Sequence, residues 1–292
     1  MLSLGIDAGA SSTKWTLLDD SGVLREGVAL AMDGHINKAP SRARMIEVLE
    51  SIVESAMPQK VGSIYAGITG IAETDSGSKE TKAIFTNVFG DIPITLVSDI
   101  ELGYRVNFEP GEGIFLYAGT GSIAMYIDAQ GKIFRAGGWG YLLGDEGAGY
   151  WIGREAIRAV LFTLESGSLI SPYSLEAEVL KSIHCADWKD IKSFVYSDDR
   201  AKIAELSLLV VSMAKKGELT AQVILKSAGS ALANLVWRLE ENVGLRNLPV
   251  IFAGGLSEPD NFLSEELVKQ IARPVTVSNI RASNRAAELA RK

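Results

Sequence analysis

The chain has 292 residues, 47% of them hydrophobic and 22% charged, and its net charge is -7. A chain of this length is longer than a typical single domain, which predicts two domains. A non-specific nucleic-acid binder needs a basic face, so the net negative charge of this chain disfavours nucleic acid as a partner.

The single cysteine, Cys185, rules out an intramolecular disulfide and any site built from several cysteines. It fits a reducing compartment. The first residues show no basic stretch ahead of a long apolar run, which argues against a signal peptide. No window approaches the roughly 20 apolar residues of a membrane span. We therefore expect a cytoplasmic protein without a membrane partner.

The first part of the chain predicts strands that alternate with helices. Short apolar or alternating runs indicate strands, and apolar residues at helical spacing indicate helices. The order is three strands, a helix, a strand, a helix and a strand, which is typical of an α/β fold. The predicted segments are 2–6, 14–18, 23–30, 41–57, 63–68, 79–89 and 93–97.

The chain repeats its opening pattern at 113–136. Each copy has an apolar strand, a glycine turn, a second strand, an aspartate-containing turn and a third strand. Gly9 corresponds to Gly119 and Gly22 to Gly131, with spacings that differ by a single residue. The repeat implies two copies of one supersecondary unit, although two ordinary hairpins would also look alike.

Helices dominate the rest of the chain. Apolar spacing predicts a mainly helical stretch over 146–217 and a long helix over 219–243. A buried strand over 248–253 ends at Gly254 and Gly255. The remaining predicted elements are a helix at 258–271, a strand at 275–277 and a closing helix at 282–291.

Two glycine turns, Asp7–Lys14 and Ala118–Ser122, are candidate phosphate sites. Small residues let the backbone approach an anion, and N–H groups in such turns point inward as donors. Either turn alone is equally a plain hairpin. As a matched pair they suit a polyphosphate, whose charge is spread over several oxygens. The predicted contacts are Gly9, Ser11, Ser12, Thr13, Lys14, Gly119, Thr120 and Gly121.

Two aspartates and a glycine pair stand at predicted strand ends. Asp7 could hold a divalent cation through water. Asp99 could accept the proton of an attacking hydroxyl, or it could cap the helix that follows. Gly254 and Gly255 would let a flat ring lie against the backbone, although a helix-entry turn explains them as well. The sequence contains neither a dinucleotide-binding fingerprint nor a P-loop.

The segment 137–151 is the densest in glycines, with six, and carries aromatic and acidic residues. The indole face of Trp139 suits the apolar face of a sugar or an acetyl group. Asp145 and Glu146 could accept hydrogen bonds from hydroxyls, or serve the first turn of the next helix. We interpret this segment as a small-molecule site, and Tyr150 and Trp151 as core residues.

At these motifs the chain resembles the actin-like sugar kinase and Hsp70 superfamily. More narrowly, it resembles the BadF/BadG/BcrA/BcrD ATPase family and its N-acetylglucosamine kinases, above all in Gly138–Gly147 followed by Tyr150–Gly153. The resemblance implies an α/β fold of two ribonuclease H-like (actin-like ATPase) domains with a central cleft. The expected domains are 1–107 with the closing helix 282–292, and 108–281 with a helical insertion.

The resemblance also implies an activity, with ATP and Mg²⁺ as cofactors. Asp99 would be the catalytic base, Asp7 would position magnesium, and the γ-phosphate would pass to the 6-hydroxyl of an amino sugar, first of all N-acetylglucosamine. Glucosamine, N-acetylmuramic acid and hexoses remain alternative substrates. An ATP-driven conformational switch is the alternative of another class. The implied sugar contacts are Asn37, Thr69, Gly138, Trp139, Asp145 and Glu146.

Two features depart from this family. Ala286 and Ala287 stand where its members often have Gly-Ala in the last helix. The iron–sulfur activators of the family need a cysteine in a glycine loop, whereas Cys185 lies in the predicted helical region, which disfavours that activity. Related kinases are often dimers, so a homodimer is expected.

Overall fold

The computed structural model contains two α/β units. One comprises Met1–Glu109 and Asn279–Lys292, and the other comprises Pro110–Ser278. The predicted domain limits, after 107 and before 282, lie within a few residues of these bounds. The independence of each unit as a folding domain stays a prediction. The described residues are 2–56, 60–71, 75–197, 200–258 and 261–292.

The first unit is a five-stranded sheet with helices on both faces. The strand order is β3-β2-β1-β4-β5, in which β1 pairs antiparallel with β2 and parallel with β4. Its elements are β1 (Ser3–Ala8), β2 (Thr13–Asp19), β3 (Gly22–Ala29), α1 (Ala39–Ala56), β4 (Ser63–Ile68), α2 (Asp75–Phe89), β5 (Ile94–Ser98), α3 (Asp99–Asn107) and α10 (Ala282–Leu289).

Alternation along β1 separates the two faces of this sheet. Leu4, Ile6 and Ala8 are buried in the core that includes the apolar face of α1. Gly5 and Asp7 point to the opposite face, because successive strand residues face opposite sides. That face is covered by α3 and α10, and a Cβ at Gly5 would overlap backbone atoms of α10.

The second unit repeats this sheet. Its strand order is β10-β9-β6-β7-β8, which read in reverse matches the order of the first sheet, with the opening hairpins antiparallel in both. Gly22 and Gly131 have positive φ values of 129° and 83° in corresponding turns. The predicted repeat is therefore confirmed. The elements are β6 (Ile114–Ala118), β7 (Ser122–Ile127), β8 (Ile133–Gly137), α4 (Gly149–Glu165), α5 (Leu175–Ser182), α6 (Trp188–Val195), α7 (Arg200–Lys215), α8 (Leu219–Val243), β9 (Val250–Ala253), α9 (Phe262–Ile271) and β10 (Val275–Val277).

Capping residues explain where two helices differ from expectation. The helix predicted from 258 begins at Phe262, because the side chain of Asn261 accepts a hydrogen bond from the Ser264 N–H at 2.8 Å and caps it. The sequence leaves open whether Asp99 is a proton acceptor or the cap of helix α3. The N-cap of this helix is Ser98, whose hydroxyl accepts from the Glu101 N–H at 3.0 Å, so the capping alternative for Asp99 is excluded.

Helix α8 corrects the expectation that no segment is apolar enough for a membrane. Among the described residues, it is the one helix whose length and composition would allow it to cross a bilayer. Its buried residues, such as Ala228, Leu232 and Val236, belong to the core of the second unit. The helix packs against β7, β8 and α9, so the core accounts for its apolar character.

Helix α10 completes the first unit from the far end of the chain. The Thr16 hydroxyl on β2 lies 2.9 Å from the Ser283 hydroxyl and donates to Asn284 Oδ1 at 2.6 Å. Ala286 and Ala287 are fully buried on this side of the sheet. The alanine pair therefore keeps the side chains small where the helix passes closest to the sheet.

We expect Gly5→Ala to lower the free energy of unfolding by about 2 kcal/mol or more, because the added methyl would overlap the Ser283 carbonyl oxygen and the Ala287 nitrogen. Denaturant unfolding followed by circular dichroism measures the loss. Gly255→Ala is the matched control, since a Cβ at Gly255 meets no atom within 4 Å. Equal stabilities of the two variants would contradict the close packing of α10 on β1.

Candidate active site

Three predicted site residues meet at one edge of the first sheet. Asp7 lies near the end of β1, Thr69 directly follows β4, and Asp99 directly follows β5. These strands are parallel neighbours, so their carboxyl ends share that edge. The structure thus brings together residues that are 92 positions apart in sequence.

Asp99 is the first residue of α3. Its Oδ1 accepts a hydrogen bond from the Ile100 N–H at 3.0 Å, and Thr69 lies next to it, just past the end of the neighbouring strand. Burial raises the pKa of Asp99, while hydrogen bonding to the Ile100 N–H and to the Thr69 side chain lowers it. A carboxyl with raised proton affinity at the end of a strand suits a general base.

Asp7 is electrostatically coupled to two neighbours. Burial raises its pKa most, the ammonium of Lys14 lowers it, and the nearby charge of Asp99 raises it further. Lys14 is the direct cross-strand partner of Asp7 on β2, so the two side chains lie on the same face. This edge therefore carries two carboxylates and one exposed cation.

The first glycine turn is closed by its own backbone. Gly9 donates its N–H to the Ser12 carbonyl at 3.1 Å, so that amide is already used within the turn. Ser11 is exposed at the tip, and Ser12 is half-buried. Thr13 is fully buried, and its hydroxyl has no partner within the described residues. Its side chain lies on the face opposite Lys14, so a contact of Thr13 with ATP would come from its backbone.

Asn37 is exposed on the loop between β3 and α1. This loop is fixed to the segment after β4, since Gly34 donates its N–H to the Thr69 carbonyl at 2.9 Å. A Cβ at Gly34 would overlap the backbone of Ile71, so the two segments interlock only because Gly34 has no side chain. The predicted sugar contacts Asn37 and Thr69 therefore belong to one connected region.

In the second unit, the turn 119–121 is held by the start of α4. Gly149 and Tyr150 donate their N–H groups to the carbonyls of Gly119 and Thr120, at 2.8 and 3.2 Å. Gly119 donates to the Gly121 carbonyl at 2.9 Å, as Gly9 does within the first turn. Within the described part of the chain, the N–H groups of Thr120 and Gly121 make no hydrogen bond. These are the donors that the turn can offer to phosphate.

Asp145 connects this turn to the glycine-rich segment. Its carboxylate accepts from the Ser122 N–H at 3.3 Å. A Cβ at Gly121 would lie 2.7 Å from Asp145 Oδ2, so the glycine leaves room for the carboxylate. Burial raises the pKa of Asp145. The side chain does not cap α4, whose N-cap is Ala148. Its contact with a sugar stays a prediction.

Trp139 is 55% exposed at the same edge of the second sheet. The Arg238 guanidinium of α8 lies 4.7 Å from the centroid of its ring. Gly138 is exposed with a φ of 68°. Glu146 is half-buried, and its backbone carbonyl accepts from the Ser122 hydroxyl at 2.9 Å. The indole is therefore available for stacking, and Ser122 helps to fix the segment that carries it. Tyr150 and Trp151 pack against the core, as predicted.

Gly254 and Gly255 differ in their surroundings. Gly254 has a φ of 105°, and a Cβ there would overlap the Ala118 backbone at the end of β6. Gly255 is exposed, with open space around its Cα. Gly254 thus permits close packing of two strand ends, while Gly255 is the member of the pair that an adenosine ring could approach.

The predicted magnesium ion fits the residues of the first unit. In the described residues, no cluster of three or more His, Cys, Asp or Glu side chains could hold a metal on its own. Mg²⁺ usually takes one or two carboxylates, while water and substrate phosphates complete its coordination. Asp7 and Asp99 are two carboxylates whose mutual repulsion a cation would relieve. Asp7 could therefore supply one carboxylate to a nucleotide-bound cation, while water and phosphate complete the coordination.

The sequence reasoning missed the roles of Ser98, Ser122 and Gly34. A serine ahead of an acidic first turn signals the N-cap at Ser98. Ser122 closes the second glycine motif, where a hydroxyl can bond back to the backbone. The need for Gly34 depends on a loop 37 positions away in sequence, and local sequence carries no signal for it.

The sequence profile of the BadF/BadG/BcrA/BcrD ATPase family matches residues 4–288. The chain belongs to this family. This membership confirms the predicted resemblance and makes ATP the nucleotide that the protein uses. The match extends through Ala286 and Ala287, so the altered pair does not interrupt it.

Two relatives match nearly the full length of the chain. A protein of Clostridium acetobutylicum named N-acetylmuramic acid/N-acetylglucosamine kinase is 30% identical over 91% of this chain and 89% of its own. A Dictyostelium discoideum protein named N-acetyl-D-glucosamine kinase is 26% identical over 92% of this chain and 89% of its own. A solved structure from Chromobacterium violaceum, named as a candidate N-acetylglucosamine kinase, is 24% identical with a TM-score of 0.74, and covers 99% of this chain and 98% of its own. The likeness confirms the actin-like α/β fold.

We expect Asp7→Asn to raise the free energy of unfolding at neutral pH. The pKa of Asp7 is higher in the folded protein than in the unfolded chain, so ionisation of Asp7 destabilises the fold. This destabilisation grows as pH rises from the unfolded pKa towards the folded pKa. The asparagine variant does not titrate there, and its advantage fades as pH falls below about 3.9, where aspartate is protonated in both states. Thermal unfolding between pH 3.5 and 8 measures the difference.

Asp19→Asn is the matched control for Asp7→Asn. Hydrogen bonds from Ser21 lower the pKa of this exposed carboxyl, so its loss should give no gain at neutral pH. If Asp7→Asn were no more stable than the wild type at pH 7, the burial of an unfavourable charge at this edge would be refuted.

Proposed function

We propose that this protein is an ATP-dependent sugar kinase that transfers the γ-phosphate of ATP to the 6-hydroxyl of an amino sugar, with N-acetylglucosamine as the first candidate. The observation that carries the proposal is the meeting of Asp7, Thr69 and Asp99 at one strand edge in a member of this ATPase family. Both full-length relatives bear the name of N-acetylglucosamine kinases, which supports the same activity.

Asp99 acts as the general base. It accepts the proton of the sugar hydroxyl as the oxygen attacks the γ-phosphate, so the attacking oxygen does not build up positive charge. Its buried carboxyl has a raised pKa, which strengthens it as an acceptor once it is ionised. The Ile100 N–H holds one of its two oxygens at 3.0 Å.

The phosphates are bound by backbone donors and a cation. The N–H groups of Thr120 and Gly121 and the ammonium of Lys14 are the groups this chain offers to the negative charge that shifts between the oxygens during transfer. A magnesium ion at Asp7, when bound with ATP, would neutralise further phosphate charge. Gly255 leaves space for the adenosine moiety.

The sugar is bound by polar groups and by one aromatic face. Asn37 and Glu146 supply hydrogen-bonding groups, the exposed indole of Trp139 supplies a stacking surface beside Gly138, and Asp145 orders the segment. N-acetylmuramic acid is the second candidate substrate, because one relative is named for both sugars. Glucosamine and hexoses require the same phosphoryl transfer and remain alternatives.

The competing function is an ATP-driven switch without a sugar substrate, such as a redox activator. Cys185 lies just after α5, and its side chain packs against the core of the second unit. It is remote in sequence from both glycine turns, which weighs against a cysteine-held cluster there.

A homodimer and a cytoplasmic location remain expectations of the kinase proposal.

We expect Asp99→Asn to lower kcat by about 10²- to 10⁴-fold, since the amide keeps the shape of the side chain but accepts no proton. N-acetylglucosamine binding, measured by calorimetry, should change little. Asp91→Asn, an exposed aspartate of the same unit, is the control and should retain wild-type turnover. A variant of Asp99 with near-wild-type turnover would show that another group is the base.

Release of ADP should depend on an amino sugar. A coupled assay with N-acetylglucosamine, glucosamine, N-acetylmuramic acid, N-acetylmannosamine and glucose measures this dependence, and mass spectrometry of the product identifies the phosphorylated hydroxyl. We expect the highest kcat/KM for N-acetylglucosamine. ADP release at one constant rate, whatever sugar is added, would instead identify a switch.

A further inference from the structure

We propose that Arg238 determines substrate specificity, because its guanidinium binds the lactyl carboxylate of N-acetylmuramic acid. The inference rests on the proposed function, in which this sugar is the second candidate substrate and Trp139 supplies the stacking surface. It adds a charged contact to a segment for which the sequence predicts only stacking and contacts with hydroxyls.

Arg238 lies beside the exposed indole of Trp139. It is half-buried on α8, and its guanidinium is 4.7 Å from the centroid of the Trp139 ring. Leu235, one turn earlier on the same helix, packs against the start of the glycine-rich segment, since a Cβ at Gly137 would lie 3.0 Å from its side chain. Packing of α8 therefore fixes the position of Arg238 relative to the indole.

The charge of Arg238 has no protein partner in the part of the chain that the structure describes. There its guanidinium contacts the indole and makes neither an ion pair nor a hydrogen bond. Arg158 shows the contrast: it lies over the ring of Phe162, and it also pairs with Glu155 at 3.0 Å. Arg238 is thus a half-buried cation with room for an anionic ligand.

Contact with an aromatic ring leaves the donors of a guanidinium available. Its N–H groups point outward in the plane of the group, in a fork that matches the two oxygens of a carboxylate. Arg238 can therefore remain against Trp139 while it donates two hydrogen bonds to a ligand. The indole holds the cation in place beforehand, so less freedom is lost when the ligand binds.

The lactyl group of N-acetylmuramic acid supplies the anion. Among the candidate sugars of the proposed function, this is the one that carries a negative charge. The lactyl ether is attached to the third carbon of the ring, whereas the phosphorylated hydroxyl is on the sixth. A cation that binds the lactyl carboxylate therefore need not touch the phosphates. The lactyl arm is short, so the carboxylate of a sugar stacked on Trp139 stays near this residue and near Arg238.

The acidic residues of the same segment make such a cation necessary. Asp145 and Glu146 follow Trp139 in sequence, and a Cβ at Gly144 would lie 3.6 Å from Glu146 Oε2 and 3.2 Å from Trp139 Cβ. The carboxylate of Glu146 is therefore close enough to the indole to repel a second carboxylate there. Without Arg238, the segment would favour uncharged sugars over N-acetylmuramic acid.

The test compares kcat/KM for N-acetylmuramic acid with kcat/KM for N-acetylglucosamine in Arg238→Gln. We expect the ratio of the two to fall about 10- to 100-fold, because a charge-assisted hydrogen bond is lost with only one of the sugars. The ratio cancels any effect on folding or stacking that both sugars share. Arg246→Gln removes the same charge from an exposed arginine just after α8, and it should keep the wild-type ratio.

Calorimetry with N-acetylmuramic acid and with its uncharged methyl ester provides a readout that needs no turnover. The wild type should bind the acid about 10- to 100-fold more tightly than the ester. Arg238→Gln should lose this preference, and Arg246→Gln should keep it. Arg238→Lys retains the charge without the planar fork, so it should show an intermediate preference, and it replaces the glutamine variant if that protein does not fold.

An undiminished preference for the acid in Arg238→Gln, or no binding of N-acetylmuramic acid to the wild type, would overturn the proposal. An unchanged sugar ratio with a raised KM for ATP would also overturn it, and would identify Arg238 as a phosphate contact. If the wild type phosphorylated no sugar, the proposed function would fail on its own. The calorimetric comparison would still decide whether Arg238 binds the carboxylate.

Discussion

Parallel pairing of β1 with β4 and of β4 with β5 is the constraint on which the candidate site depends. Each of these strands ends at the same edge, and each has a polar residue, Asp7, Thr69 or Asp99, within one position of its end. The buried residues just before those ends, such as Ile6 and Ile68, fix the register through the core. The electrostatic free energy of placing two carboxylates close together is thus offset by hydrophobic burial elsewhere in the strands.

The two units share one strand topology, but the corresponding sheet edges carry different chemical groups. In the first, the strand edge carries the carboxylates of Asp7 and Asp99. In the second, the corresponding edge carries a turn whose carbonyls bond to the start of α4 and whose remaining N–H groups are left as donors. The proposed function thus assigns acid–base chemistry to one copy of the repeat and anion binding to the other, and the two copies differ in their loops and strand ends rather than in their sheets.

Sequence patterns were sufficient for most of the fold, because the strands and helices have strong apolar periods and the repeat could be recognised from paired glycines. They left open whether Asp99 caps the helix that follows, and the structure assigns that cap to Ser98, one position earlier. They placed Thr13 among the ATP contacts, although its side chain faces the core. Which side of a strand a residue faces, and which loop passes close to Gly34 or Gly254, depends on contacts between distant segments. Those contacts have no local signature.

The attachment of α10 has a consequence for how the protein forms during translation. The second unit is one continuous stretch and can acquire its core while the ribosome is still adding residues beyond 278. The first sheet, although made earlier, leaves Gly5 and Thr16 uncovered until α10 emerges. A nascent chain halted before that helix would expose this surface to chaperones and proteases. The order of synthesis and the order of completion are therefore opposite in this protein.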